Sequence, residues 1–298
     1  MPILNVTPCQ FMSSNLRGFG VVTAMIELFP AQSLSPLWLA CLAAWMLSGC
    51  MGGANVKARA QILHQFVVLE QDRRIRYESG AQVYAERVAA LLPAAVAQVE
   101  AAHYRPFVGA VRLYVCGTEA CFKSLVYTPN LTAAVVPDNR LILSPRLFLG
   151  EQNRLYPILV HELSHLHLGL QIGHYDHSVP IWFHEGLATL AATGGGAEYA
   201  SDDDAIAAIK AGYQIMPAVR DSVIKRHRAE DWGLSIHVFY RQALRMVSYL
   251  RQLDEDKFRQ FLLELQDNVD FDIAFDDAYT SSVARTLQGY YDSINPVR

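Results

Sequence analysis

Apolar positions in Ala81–Tyr104, "AQVYAERVAALLPAAVAQVEAAHY", recur at intervals of three and four residues, which predicts a helix. Pro93 falls inside it, and a ring without an N–H either kinks such a helix or divides it in two. Before it, "RRIRYES" (Arg73–Ser79) alternates as an extended segment does. "GAVRLYVCG" (Gly109–Gly117) alternates and is rich in valine, which predicts a strand. "AAVVPDNRLILSPRLF" (Ala133–Phe148) reads as strand, turn at Pro137-Asp138-Asn139, strand, and a break at Pro145. From about Asp202 onward nearly every segment has a helical period, "HVFYRQALRMVSYLRQL" and "EDKFRQFLLELQ" among them. Strands early and helices late predict an α+β fold with one long central helix.

That central helix is "YPILVHELSHLHLGL" (Tyr156–Leu170). Pro157 suits a first helical turn, where its missing N–H is not needed, and Gly169 marks the expected end. Apolar residues cover most of its circumference, so it must be buried. Burying His161, Glu162 and His165 is costly unless each finds a partner. A metal ion supplies one. At about 100° per residue, His161 and His165 lie about 40° apart on one face, so two imidazoles can bind one tetrahedral Zn2+. Glu162 lies about 100° round from His161, beside the ligands, where it can take a proton from a metal-activated water. His167 points about 240° away from His161 and reads as a core or surface residue.

His161-Glu162-Leu163-Ser164-His165 matches the zinc signature of the zincin metallopeptidases. The metzincin pattern fails, because Leu168 and Gln171 stand where it needs glycine and histidine. Asp176 in "GHYDHS" could serve as an aspartate ligand, but its surroundings do not match the aspzincin motif. Glu185 in "WFHEGLATL" is the remaining candidate. Nineteen residues lie between it and His165, close to the spacing of aminopeptidase-type gluzincins, and its Trp-x-x-Glu-Gly-x-Ala setting is similar to theirs. The chain thus resembles the gluzincins of the peptidase MA-like superfamily, loosely over residues 75 to 290. The resemblance implies a zincin-like fold, with an N-terminal mixed sheet, a central HExxH helix and a mostly helical C-terminal part. It implies one Zn2+ held by His161, His165 and Glu185, and Glu162 as general base and then acid. "FYRQALRMVSYL" (Phe239–Leu250) resembles the helix that follows the zinc site in that family, which makes Tyr240 the candidate oxyanion donor and His237 the second. "NRLIL" (Asn139–Leu143) resembles the edge strand on which such enzymes lay a substrate backbone. Thr189, one turn after Glu185, either hydrogen-bonds a ligand or simply packs. His174 and His177 either line the cleft or are solvated.

Composition narrows the class. The chain has 298 residues, 52% of them hydrophobic, enough for a sizeable core. A net charge of −4 with 18% charged residues argues against nucleic acid as a partner. The N-terminus changes the picture more. "SLSPLWLACLAAWMLSGC" (Ser33–Cys50) holds an apolar run of about fourteen residues, short for a bilayer span and right for a signal-peptide core. Its end, Leu47-Ser48-Gly49-Cys50, resembles a bacterial lipobox; a buried helix ending at glycine is the alternative. The lipobox resemblance implies a signal peptide over 1–50, acylation at Cys50 and membrane anchoring through that lipid. Only Arg17 precedes the core, so Met25 is a candidate true start. A tether and leading segment would span 51–72, and the metallopeptidase domain 73–298, sheet-bearing to about 170. In an oxidising compartment Cys116 and Cys121 are either a disulfide or two small buried thiols. The expected protein is a lipid-anchored cell-envelope zinc peptidase acting on peptide or protein, with a non-catalytic zinc-bearing scaffold or assembly factor as the competing class.

Overall fold

The computed structural model describes residues 62–126, 131–173, 178–217 and 226–295, all within one unit, Arg59–Arg298. The expected signal peptide and lipobox with Cys50, residues 51–61 of the expected tether and leading segment, and His174, Asp176 and His177 lie outside the described residues. The architecture is α+β. Five short strands, β1 (Val67–Val68), β2 (Ile75–Tyr77), β3 (Leu113–Val115), β4 (Ala133–Val136) and β5 (Arg140–Leu143), form one mixed sheet in the order β1-β2-β3-β5-β4. β2, β3 and β5 run parallel, while β1 and β4 add antiparallel at the two edges. Since β1 pairs with β2, the leading segment before residue 73 contributes to the sheet rather than serving only as a tether.

Side chains alternate across β3 and β5 as the pleat requires. Leu113, Val115, Leu141 and Leu143 face the core shared with α1 (Gln82–His103). Tyr114 and Ile142 face the other layer, packed by α2 (Glu119–Leu125). Pro93 neither splits nor ends α1. It sits on the exposed face, where water can satisfy the carbonyl that its missing N–H leaves unbonded. Cys116, just after β3, and Cys121, in the first turn of α2, are joined as a disulfide across the intervening loop, their Cα atoms 5.7 Å apart. Glu78 braces that loop by accepting hydrogen bonds from the Gly117 and Thr118 N–H groups.

One expectation is corrected. Arg140–Leu143 of "NRLIL" is not an edge strand; β5 pairs with β3 on one side and β4 on the other. The edge falls to Ala133–Val136. The chain crosses by α2 to the far edge, lays down β4, and returns through Pro137-Asp138-Asn139 to insert β5. Asn139 takes a left-handed conformation (φ +58°), which a three-residue hairpin loop demands and asparagine tolerates. Burial explains the order: Leu141, Ile142 and Leu143 are all buried, whereas Ala134 and Val135 of β4 are only half-buried.

Beyond the sheet come α3 (Arg146–Leu149), α4 (Leu155–Ile172), α5 (Ile181–Ala191), α6 (Asp202–Lys210), α7 (Ile236–Leu253), α8 (Glu255–Gln266), α9 (Phe271–Tyr279) and α10 (Val283–Ile294). α4 runs past Gly169 and stops at Gly173, whose φ of +96° only glycine adopts readily. It bridges two apolar cores. Its first three turns, from Leu155 to Leu166, pack with α1 and the sheet, and Leu168 enters the helical core of α5 and α7 to α10. Buried His103 of α1 ties to Ser164 of α4 through its Nε2, 2.7 Å from the hydroxyl. Gln242 of α7 is also buried. It accepts from the Ile215 N–H and donates to the Tyr213 carbonyl, so its role is to hold the segment after α6.

Candidate metal centre

His161 and His165 stand one turn apart on α4 with their Nε2 atoms 3.1 Å from each other. α5 packs alongside and delivers Glu185, whose Oε2 lies 3.3 Å from His161 Nε2 and 3.2 Å from His165 Nε2. The three donor atoms form a near-equilateral triangle. A tetrahedral ion bonded at about 2.0–2.1 Å sets its ligands about 3.3 Å apart, so the triangle has the size of one face of such a site.

The chemistry of the donors also suits a cation. His161 Nδ1 lies 3.0 Å from the Gly195 carbonyl, which can only accept, so in the neutral ring Nδ1 carries the proton and Nε2 presents a lone pair. That lone pair faces another imidazole nitrogen and a carboxylate in a buried site. Glu185 Oε2 is buried and accepts no well-directed hydrogen bond. Such an arrangement calls for a cation or a proton. Without a metal, burial would draw the His161 pKa down, yet the Glu185 carboxylate holds it above the ordinary histidine value. Burial alone would raise Glu185, but His165 and His161 hold it well below the usual carboxylate range.

Glu162 sits beside this triangle, its carboxylate bonded to the Val135 backbone on β4, and burial pushes its pKa up. Tyr240 of α7 brings its ring within 5.6 Å of the His161 ring. Burial, then Glu185 and Glu162, keep its phenol protonated far above neutrality. Together these groups line a cleft of about 240 Å³ with Leu131, Ala133, Ala134, Val135, Ile181, His184 and Arg226. His184 stacks on His165, ring centroids 4.7 Å apart. His237 is outside the cleft lining; its Nδ1 bonds the Gly196 carbonyl at 2.8 Å, so Tyr240 is the better placed of the two oxyanion candidates. His167 is a core residue, held at 2.9 Å by the Arg105 carbonyl and packed on His103 and Phe107. Thr189 is buried, and its hydroxyl makes no hydrogen bond.

Three contributors were not legible in advance. Gly195 orients His161 through a backbone oxygen. Gly196, at φ +96°, leaves room for that ring, since a Cβ there would stand 2.9 Å from two of its atoms. Val135 holds Glu162 by its backbone. The only advance signal was the Gly194-Gly195-Gly196 run, which reads from sequence as a plain loop.

Glu185 reaches the histidines because α5 lies unusually close to α7. At Gly186 a Cβ would be 2.5 Å from the Ala243 carbonyl oxygen and 2.7 Å from Val247 Cγ2. A backbone oxygen cannot step aside, so Gly186→Ala must push the helices apart. Overpacking of this kind costs about 3 kcal/mol, the upper end of the usual range, and is expected to lower Tm by about 6–12 °C in a calorimetric scan. An unchanged Tm would mean that the helices are not so close. No family model matches this chain, and neither does any curated protein or solved structure.

Proposed function

We propose that this chain is a zinc-dependent metallopeptidase of the gluzincin kind, on a zincin-like fold, acting on peptide or protein substrates in the bacterial cell envelope. The observation that carries the reading is the triangle of His161 Nε2, His165 Nε2 and Glu185 Oε2, with a bonded, half-buried Glu162 beside it. Among the described residues three protein donors converge here, the number that catalytic rather than structural zinc sites use. A divalent cation held by these three residues supplies Lewis-acid polarisation of a peptide carbonyl and of the attacking water.

The rest falls to the chain's own groups. Among the described residues β4 pairs only with β5, so its outer edge can take an extended peptide backbone as an added strand. Its residues Ala133, Ala134 and Val135 line the cleft, which sets such a strand beside Glu162. Glu162 takes the proton of the attacking water and returns it to the leaving amine. A carboxylate whose pKa burial has raised is a better proton carrier near neutrality than a solvated one. The protonated Tyr240 phenol donates a hydrogen bond to the oxyanion as it forms. The envelope location draws support from the Cys116–Cys121 disulfide, a bond at home in an oxidising compartment, and from the lipobox resemblance at Cys50.

The test is a peptide-library digest by the purified chain. Cleavage is expected, is expected to vanish after dialysis against a chelator, and is expected to return on adding zinc. Cleavage that persists in chelator, or none from protein loaded with zinc, contradicts the proposal.

A further inference from the structure

Of the groups that line the cleft, Arg226 has no part in the chemistry above. It shares the cleft with Glu162, His165 and Tyr240, and its side chain is exposed to the solvent there. Several other arginines have carboxylate partners: Arg154 pairs with Glu151 and Glu198, and Arg241 and Arg245 share Asp202. Arg226 pairs with no carboxylate among the described residues. The same lining includes Leu131, Ala133, Ala134 and Ile181, none of which can answer a positive charge.

The local balance is therefore opposite to the global one. With a divalent cation in place, Glu185 and Glu162 cancel its two charges, and among the described residues that line the cleft Arg226 then leaves the balance positive, in a chain whose net charge is −4. A guanidinium forks onto a carboxylate in planar, two-point contact and has no comparable interaction with a neutral amide. We infer that Arg226 selects substrates that place a carboxylate beside the scissile bond. This rests on the peptidase reading and adds to it a substrate class, anionic peptides. The carboxylate can be a peptide C-terminus, which makes the enzyme trim ends, or an aspartate or glutamate side chain, which lets it cut within a chain.

The experiment uses zinc-loaded protein and peptide twins of one sequence: free acid against C-terminal amide, and internal Asp or Glu against Asn or Gln. Cleavage by the wild type is read for each. Binding of the same peptides to the Glu162→Gln variant is read by calorimetry at low and high salt. We expect the carboxylate twin to be favoured about tenfold or more, the value of one partly exposed charge-assisted contact, mainly through KM and binding. Arg226→Gln brings that ratio close to one, Arg226→Lys keeps part of it, and salt narrows it. A preference confined to the free-acid pair assigns the contact to a C-terminus; one confined to the internal pair assigns it to a side chain. Cleavage of both twins at equal rates, or a ratio that survives Arg226→Gln, overturns the inference and leaves the peptidase proposal standing. No cleavage and no binding of any peptide overturns both.

Discussion

Glu162→Gln is expected to leave the metal bound and hydrolysis reduced by about 10²–10⁴-fold, the range a positioned general base contributes. The substitution keeps size and shape, and the amide oxygen can still accept from the Val135 backbone. His161, His165 and Glu185 are untouched, so the donor triangle stays whole. What disappears is the capacity to take a proton from water and give it to the leaving amine. Zinc content by elemental analysis should match the wild type while peptide turnover falls. A Glu162→Gln variant that cleaves as fast as its parent would remove the assigned role and favour the non-catalytic scaffold.

His165→Ala is expected to lose both. Two donors of the triangle remain, the ring that stacks on His184 is gone, and Glu185 keeps His161 and the Tyr240 phenol as partners. Losing a supporting contact around a metal ligand already weakens binding about 10–100-fold; losing the ligand itself should exceed that. The consequence reaches stability. Zinc at a hundred times its Kd should stabilise the wild type by about 2.7 kcal/mol, a Tm rise of about 5–10 °C for a unit of this size. In His165→Ala the rise should be absent and the zinc stoichiometry near zero. If zinc raises the Tm of this variant as it does the parent's, the ion is held elsewhere.

The contrast between these variants follows from the difference between what is local and what is tertiary. The His161–His165 pair could be read directly, because a four-residue step on a helix fixes which side chains share a face, whatever surrounds them. The partial burial of Glu162 followed from the apolar circumference of α4. Glu185 was legible only through a resemblance, since its place depends on how α5 packs against α4 and α7. The Gly195 carbonyl and the Val135 backbone were beyond reach because main-chain groups are the same at every residue and leave no mark in the sequence. The edge strand was misplaced for a related reason. β4 and β5 are both apolar enough for a sheet, and which lies outside follows from how deeply each is buried, a tertiary matter that the residues alone do not mark. Arg226 follows a stretch with no recognisable motif, and only folding brings it to the lining of the same cleft as Glu162. The overrun of α4 past Gly169 has a simpler cause. Glycine inside a buried helix costs about 1 kcal/mol, which the packing of Leu168 and its neighbours offsets.

The central claim concerns one ion and three atoms. Protein purified without chelator should be crystallised, its metal identified by X-ray fluorescence, and an anomalous difference map collected at that element's edge. The expected result is a single peak about 2.1 Å from His161 Nε2, His165 Nε2 and Glu185 Oε2, with the fourth position open to the cleft. A map with no peak between those atoms, or a peak closed off by a fourth protein ligand, would contradict the account.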